Sequence, residues 1–182
     1  IAVALATLRI SADRRETEAR ADLAPAEGRL VATDLQGIFV MAAGPVDAPP
    51  VLLIHGSVGW SRTWAPTMEA LAEAGYHALA IDLPPMGFSE RDPAGAYGRA
   101  TSAARILAFV EAEGVRPHLV AHSFGAGAAV EAVMQAPDAF ASLIILNGAL
   151  PLDPPADAAL PAILRPQWLR EVLVSASVTN PL

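Results

Sequence analysis

Four short strand-like runs recur along the chain, Val51–Ile54, Tyr76–Ile81, His118–Ala121 and Leu143–Leu146, and every gap between them holds a helix-like segment. Runs of four to six residues are too short for a buried helix and suit a strand covered on both faces. The first helix is expected at Thr63–Ala74 and ends at Gly75, and the second at Arg99–Glu113 ends at Gly114. Glycine past the last helical residue is the usual stop signal. Ile106, Leu107 and Val110 share one face of the second helix, and a third helix is expected at Phe124–Gln135. Strands alternating with helices predict an α/β fold, a mostly parallel sheet with right-handed crossovers and helices on its faces. Ahead of this series, Arg29–Thr33 and Gly37–Ala42 read as two strands of a hairpin turning at Asp34-Leu35-Gln36-Gly37.

The 182 residues suffice for one substantial core, and a hydrophobic fraction of 53% excludes a disordered chain. With no cysteine, a disulfide scaffold and thiolate chemistry are excluded. A net charge of −7 without a basic stripe argues against nucleic acid as a partner. All twelve basic residues are Arg, which together with abundant Ala and Pro suggests a GC-rich bacterial gene. The chain divides into an N-terminal segment (1–27), an α/β core (28–149) and a Pro-rich, then helical, segment (150–182). The apolar opening Ile1–Ile10, followed by Arg14, Arg15 and Arg20, has two readings. It is either the stub of a membrane anchor or signal helix, giving a membrane-anchored protein, or an amphipathic helix on a cytoplasmic one. No solenoid-type repeat is present.

The chemistry centres on Ser123. The strand His118–Ala121 runs into His122-Ser123-Phe124-Gly125, and a helix of small residues leaves it. That context defines a nucleophile elbow, a turn tight enough to require small residues two before and two after the serine. Ala121 and Gly125 fill those positions, Ala121 where glycine is usual. The Phe124 N–H, at the start of the helix, is a candidate oxyanion donor. The competing reading makes Ser123 an ordinary helix N-cap. At the end of another buried strand, His55-Gly56-Ser57-Val58-Gly59-Trp60 offers a second donor at Ser57, with Val58 next; His55 and Gly56 shape that loop. Asp82, ending a third strand, is read as a loop-organising carboxylate.

These three motifs, in this order and spacing between about Arg29 and Asn147, resemble the α/β-hydrolase fold superfamily. The resemblance implies an oxyanion loop at His55-Gly56-Ser57, an ordered loop after Asp82 and a catalytic elbow at Ser123. Pro85 and Met86 depart from the family's loop, where glycine or histidine is frequent. Serine at the elbow points away from the dehalogenase and epoxide-hydrolase branches, towards ester and related acyl chemistry. The family's triad runs Ser, acid, His in chain order, yet His55, His77, His118 and His122 all precede Ser123. Asp153 and Asp157 are weighed as the acid and read as solvated loop carboxylates. Residues from Leu150 resemble the start of a helical cap, and Trp60, His122 and Trp168 are candidates for lining a substrate pocket. The expectation is therefore a fragment of a serine hydrolase, truncated before the last strands and lacking its catalytic His, inactive alone and acting at full length on a small apolar acyl substrate. The alternative is a non-catalytic, hydrolase-like binding module. No metal or cofactor is expected.

Overall fold

The computed structural model describes residues 20–148; the N-terminal segment's first nineteen residues, the Pro-rich segment, Asp153, Asp157 and Trp168 lie outside them. Six strands form one sheet: β1 (Gly28–Val31), β2 (Ile38–Ala43), β3 (Pro50–Ile54), β4 (His77–Ile81), β5 (His118–His122) and β6 (Ser142–Leu146). Their order is β1-β2-β4-β3-β5-β6. The β1–β2 hairpin and the β2–β4 pair are antiparallel, whereas β4–β3, β3–β5 and β5–β6 are parallel. Three helices connect the parallel strands: α1 (Ala65–Glu73), preceded by a 3-10 turn at Ser61–Trp64, α2 (Arg99–Glu113) and α3 (Phe124–Gln135).

The continuous apolar text of β3 is explained by helices on both faces. Val51 and Leu53 pack with Trp64 and Met68 around α1, and Leu52 and Ile54 join Ile106, Phe109 and Ala129 on the α2–α3 face. In β4, Ala78 and Ala80 face the bulky Trp64 and Met68, whereas Leu79 and Ile81 face the opposite core. Side-chain alternation along each strand thus supplies both layers from one run. Burying a Val, Leu or Ile side chain fully contributes about 1.5–3 kcal/mol, so the four such residues in β3 anchor the centre of the sheet. In α3, Gly125, Ala126, Ala128, Ala129 and Ala132 are buried, and their small size lets the helix lie close to β3 and β5. Gly75 and Gly114 take the left-handed conformation at the ends of α1 and α2, as their positions require. All six strands, and α1, differ by a residue or two at one end or both from the boundaries expected from sequence.

Candidate active site

Ser123 follows the last residue of β5 and precedes the first residue of α3. Its φ of 50° and ψ of −116° lie outside the regions that residues with a side chain normally occupy. An N-cap serine sits in the extended region and accepts an N–H from the first turn; Ser123 does neither. The N-cap reading therefore fails, and a strained, half-buried hydroxyl remains at the head of a helix. The Ser123 backbone N–H donates to the Leu146 carbonyl at 3.1 Å, tying the turn to the end of β6. As the first helical residue, Phe124 has an N–H with no acceptor inside the helix. Its side chain is 51% exposed beside the serine.

Parallel register brings the second motif to the same place. Ile54 pairs with Ala121, so Gly56 comes level with Ser123 two residues later. A Cβ on Gly56 would lie 3.1 Å from Ser123 Cβ and 2.8 Å from His122 Nδ1, so glycine permits the approach of the two loops. A Cβ on Gly125 would lie 2.5 Å from the His55 carbonyl oxygen, which explains glycine on the far side of the elbow. Ser57 is exposed next to this contact, and Val58 is 84% exposed with φ 61°. A β-branched residue in that region is a genuine outlier, and such strain concentrates at functional sites. Trp60, half-buried, packs edge-on against Phe88, which in turn packs on Phe39 of β2.

His55 and Asp82 hold these loops. The Leu83 N–H donates to His55 Nε2 at 2.9 Å, so Nδ1 carries the proton and donates to the Gly56 carbonyl at 2.8 Å. Burial pulls the His55 pKa below its ordinary value, with the Gly56 carbonyl and Asp82 partly opposing, and the neutral ring is the native form. The buried Asp82 carboxylate accepts the Ser61 N–H at 2.6 Å and the Phe88 N–H at 2.7 Å. Ser89 Oγ donates to the Asp82 carbonyl and accepts the Phe39 N–H, both at 2.7 Å. Gly87, at φ 60°, closes over the carboxylate so tightly that a Cβ would fall 1.9 Å from Asp82 Oδ2. Pro85 and Met86 are accommodated in this loop, where the Pro84–Pro85 peptide is cis.

Of the other histidines, His77 and His118 are engaged elsewhere, whereas His122 is the chain neighbour of Ser123. His77 starts β4 and contacts the Gly44 carbonyl, and His118 starts β5 and contacts Ser142 Oγ. His122 is exposed and adjoins Gly56. Among the described residues no cluster of three His, Asp or Glu side chains could hold a metal, and no helix is long and apolar enough to cross a membrane. Sequence reasoning missed the positive φ of Val58, which a β-branched residue does not announce, and that of Asn147, at φ 47°, which the Asn147-Gly148 pair could have signalled.

A profile described as alpha/beta hydrolase fold matches residues 49–182. The carbamate-hydrolase-named protein RutD of Variovorax paradoxus is 32% identical over 105 residues, covering 57% of this chain and 40% of its own. A haloalkane dehalogenase of Mycobacterium marinum is 30% identical over 112 residues, covering 59% of this chain and 37% of its own. The crystal structure of a bacterial membrane phospholipase A superposes with a TM-score of 0.64 at 30% identity, over 81% of this chain and 45% of that one. The chain thus spans about two fifths of the length of these curated relatives. With the profile matching well over half of its residues, the chain belongs to the α/β-hydrolase fold family.

Proposed function

We propose that the chain carries the nucleophile and oxyanion hole of a serine hydrolase acting on a carboxylic ester or related acyl bond. The observation that carries the reading is Ser123 itself, held at φ 50° at a helix start without forming a cap. In this scheme Ser123 Oγ attacks the acyl carbon and its proton passes to a general base. The oxyanion is held by the Phe124 N–H and by the Ser57 N–H, with the Val58 N–H as the next candidate donor. The base returns the proton to the leaving group, and water then releases the acyl group from Ser123. His55, Gly56 and Asp82 shape the site without touching substrate; Trp60 and His122 border it.

His55 is unsuited to be the base, because both of its ring nitrogens are committed to backbone groups. We assign that role to a histidine outside these 182 residues, which are therefore inactive alone. The relatives include a haloalkane dehalogenase as well as a carbamate-hydrolase-named protein, and serine at the elbow favours the acyl branch. The test compares p-nitrophenyl butyrate turnover and phosphonate labelling by these 182 residues and by the full gene product, each with Ser123→Ala. Turnover and labelling only by the full product, lost in Ser123→Ala, support the reading. Brisk turnover by the 182 residues would make one of the four histidines the base, and an unreactive full product would favour a binding module.

A further inference from the structure

The three non-glycine residues with positive φ among those described are Val58, Ser123 and Asn147. They stand just past the carboxyl ends of β3, β5 and β6, three adjacent parallel strands. Register sharpens the coincidence. His122 pairs with Leu146, so Asn147 comes level with Ser123 on the β6 side, as Gly56 does on the β3 side. Neighbouring strands lie about 4.8 Å apart, so the serine is flanked on both sides at hydrogen-bonding range of one small substrate. The Leu146 carbonyl, one bond before Asn147, is the acceptor of the Ser123 N–H.

The backbone on this side is clamped. A Cβ on Gly148 would lie 2.4 Å from Ala126 Cβ and 2.7 Å from Ile145 Cγ2, so the chain leaving Asn147 presses on the first turn of α3. Asn147 itself is exposed, and its amide makes no hydrogen bond with the described residues. A residue whose amide has two donors and an acceptor thus stands level with Ser123 in register, on the flank opposite the loop after β3.

Building on the serine-hydrolase reading, we infer that Asn147 is a specificity residue. Its amide hydrogen-bonds a polar atom one or two bonds from the scissile carbonyl, so the preferred substrates are acyl compounds bearing a hydroxyl, carbonyl or amide nitrogen there. A site built to hydrogen-bond such a group discriminates against the analogue lacking it. The plain alternative is an Asn-Gly turn in which asparagine merely tolerates the left-handed conformation. Asn147→Gly separates the two, because it preserves the turn and removes the amide.

The experiment uses the full gene product in a Ser123→Ala background, where turnover cannot interfere, and NMR titration with two probes, α-hydroxybutyramide and butyramide. The expected result is about tenfold tighter binding of the hydroxylated amide, falling to parity in Asn147→Gly, in keeping with the loss of a hydrogen bond. Asn147→Ala, which also removes the amide, provides a second variant should Asn147→Gly unfold, and is likewise expected to bring the two probes to parity. Parity of the two amides in the Asn147 protein, or no binding of either, overturns the inference, as does a preference that survives removal of the amide. Ester turnover persisting in Ser123→Ala would instead overturn the nucleophile assignment and leave the binding comparison intact.

Discussion

Replacing His55 by Phe keeps a ring in the buried slot and deletes both of its hydrogen bonds. His55 is 1% exposed, and the Leu83 N–H that it accepts belongs to a residue equally buried. A buried donor left without a partner costs about 1–3 kcal/mol. The Gly56 carbonyl loses the Nδ1–H but keeps the Gly59 N–H at 3.3 Å, so its share is smaller, about 0.5–1 kcal/mol. Together the substitution should cost roughly 1.5–4 kcal/mol, a large part of the stability of an ordinary domain. Urea unfolding followed by circular dichroism at pH 7.5 measures it, with an expected fall in midpoint of about 1–2 M at an unchanged slope. A cost under about 0.5 kcal/mol would refute the claim that this ring joins the two loops. The same residue sets a pH dependence. Burial holds the native pKa below the ordinary 6.5, so on acidification the unfolded chain takes up the proton first. Stability present above pH 6.5 is therefore lost as the pH falls from 6.5 towards the native value, and His55→Phe should lack that part of the acid slope.

Gly87→Ala should be among the most damaging single-methyl additions, about 2–4 kcal/mol by urea unfolding, because its Cβ would fall on the Asp82 carboxylate at a positive φ. A near-neutral result would mean that the loop after β4 moves aside freely. Val58→Gly should relieve about 1–2 kcal/mol of left-handed strain and add unfolded-state freedom, netting about 0.5–1 kcal/mol of stability in thermal melts. A destabilised Val58→Gly would show that the valine side chain is held by packing. In α2, the buried Arg105 donates to Gln36 at 2.7 Å and to Asp92 at 2.8 Å. Arg105→Met should cost about 1–3 kcal/mol, and adding Asp92→Asn should cost less than the two single changes combined; strict additivity would deny the coupling.

Why so much of the architecture was legible, and some of the site was not, comes down to which interactions are local. Val51–Ile54 has to be covered on both faces wherever it sits, so the parallel sheet could be read from a few residues and their spacing. The positive φ of Val58 is not encoded by its β-branched side chain, whereas that of Asn147 suits the Asn147-Gly148 pair. The partners of His55 illustrate the same limit: the loop-holding role was legible in His55-Gly56, but the acceptance of the Leu83 N–H depends on β3 and β4 lying side by side. The elbow shows how contact decides what a motif tolerates. Ala121 replaces the usual glycine before the serine and is buried in the core with Leu119 and Ile54, where its methyl is simply packing volume. After the serine no such freedom exists, because a methyl on Gly125 would meet the His55 carbonyl at 2.5 Å and Ile54 Cγ2 at 2.7 Å. The first partner is backbone of the loop after β3, so a side chain there would force α3 and that loop apart. A departure from pattern at Ala121 thus leaves the geometry of Ser123 intact, whereas the same departure at Gly125 would separate Ser123 from the loop that faces it.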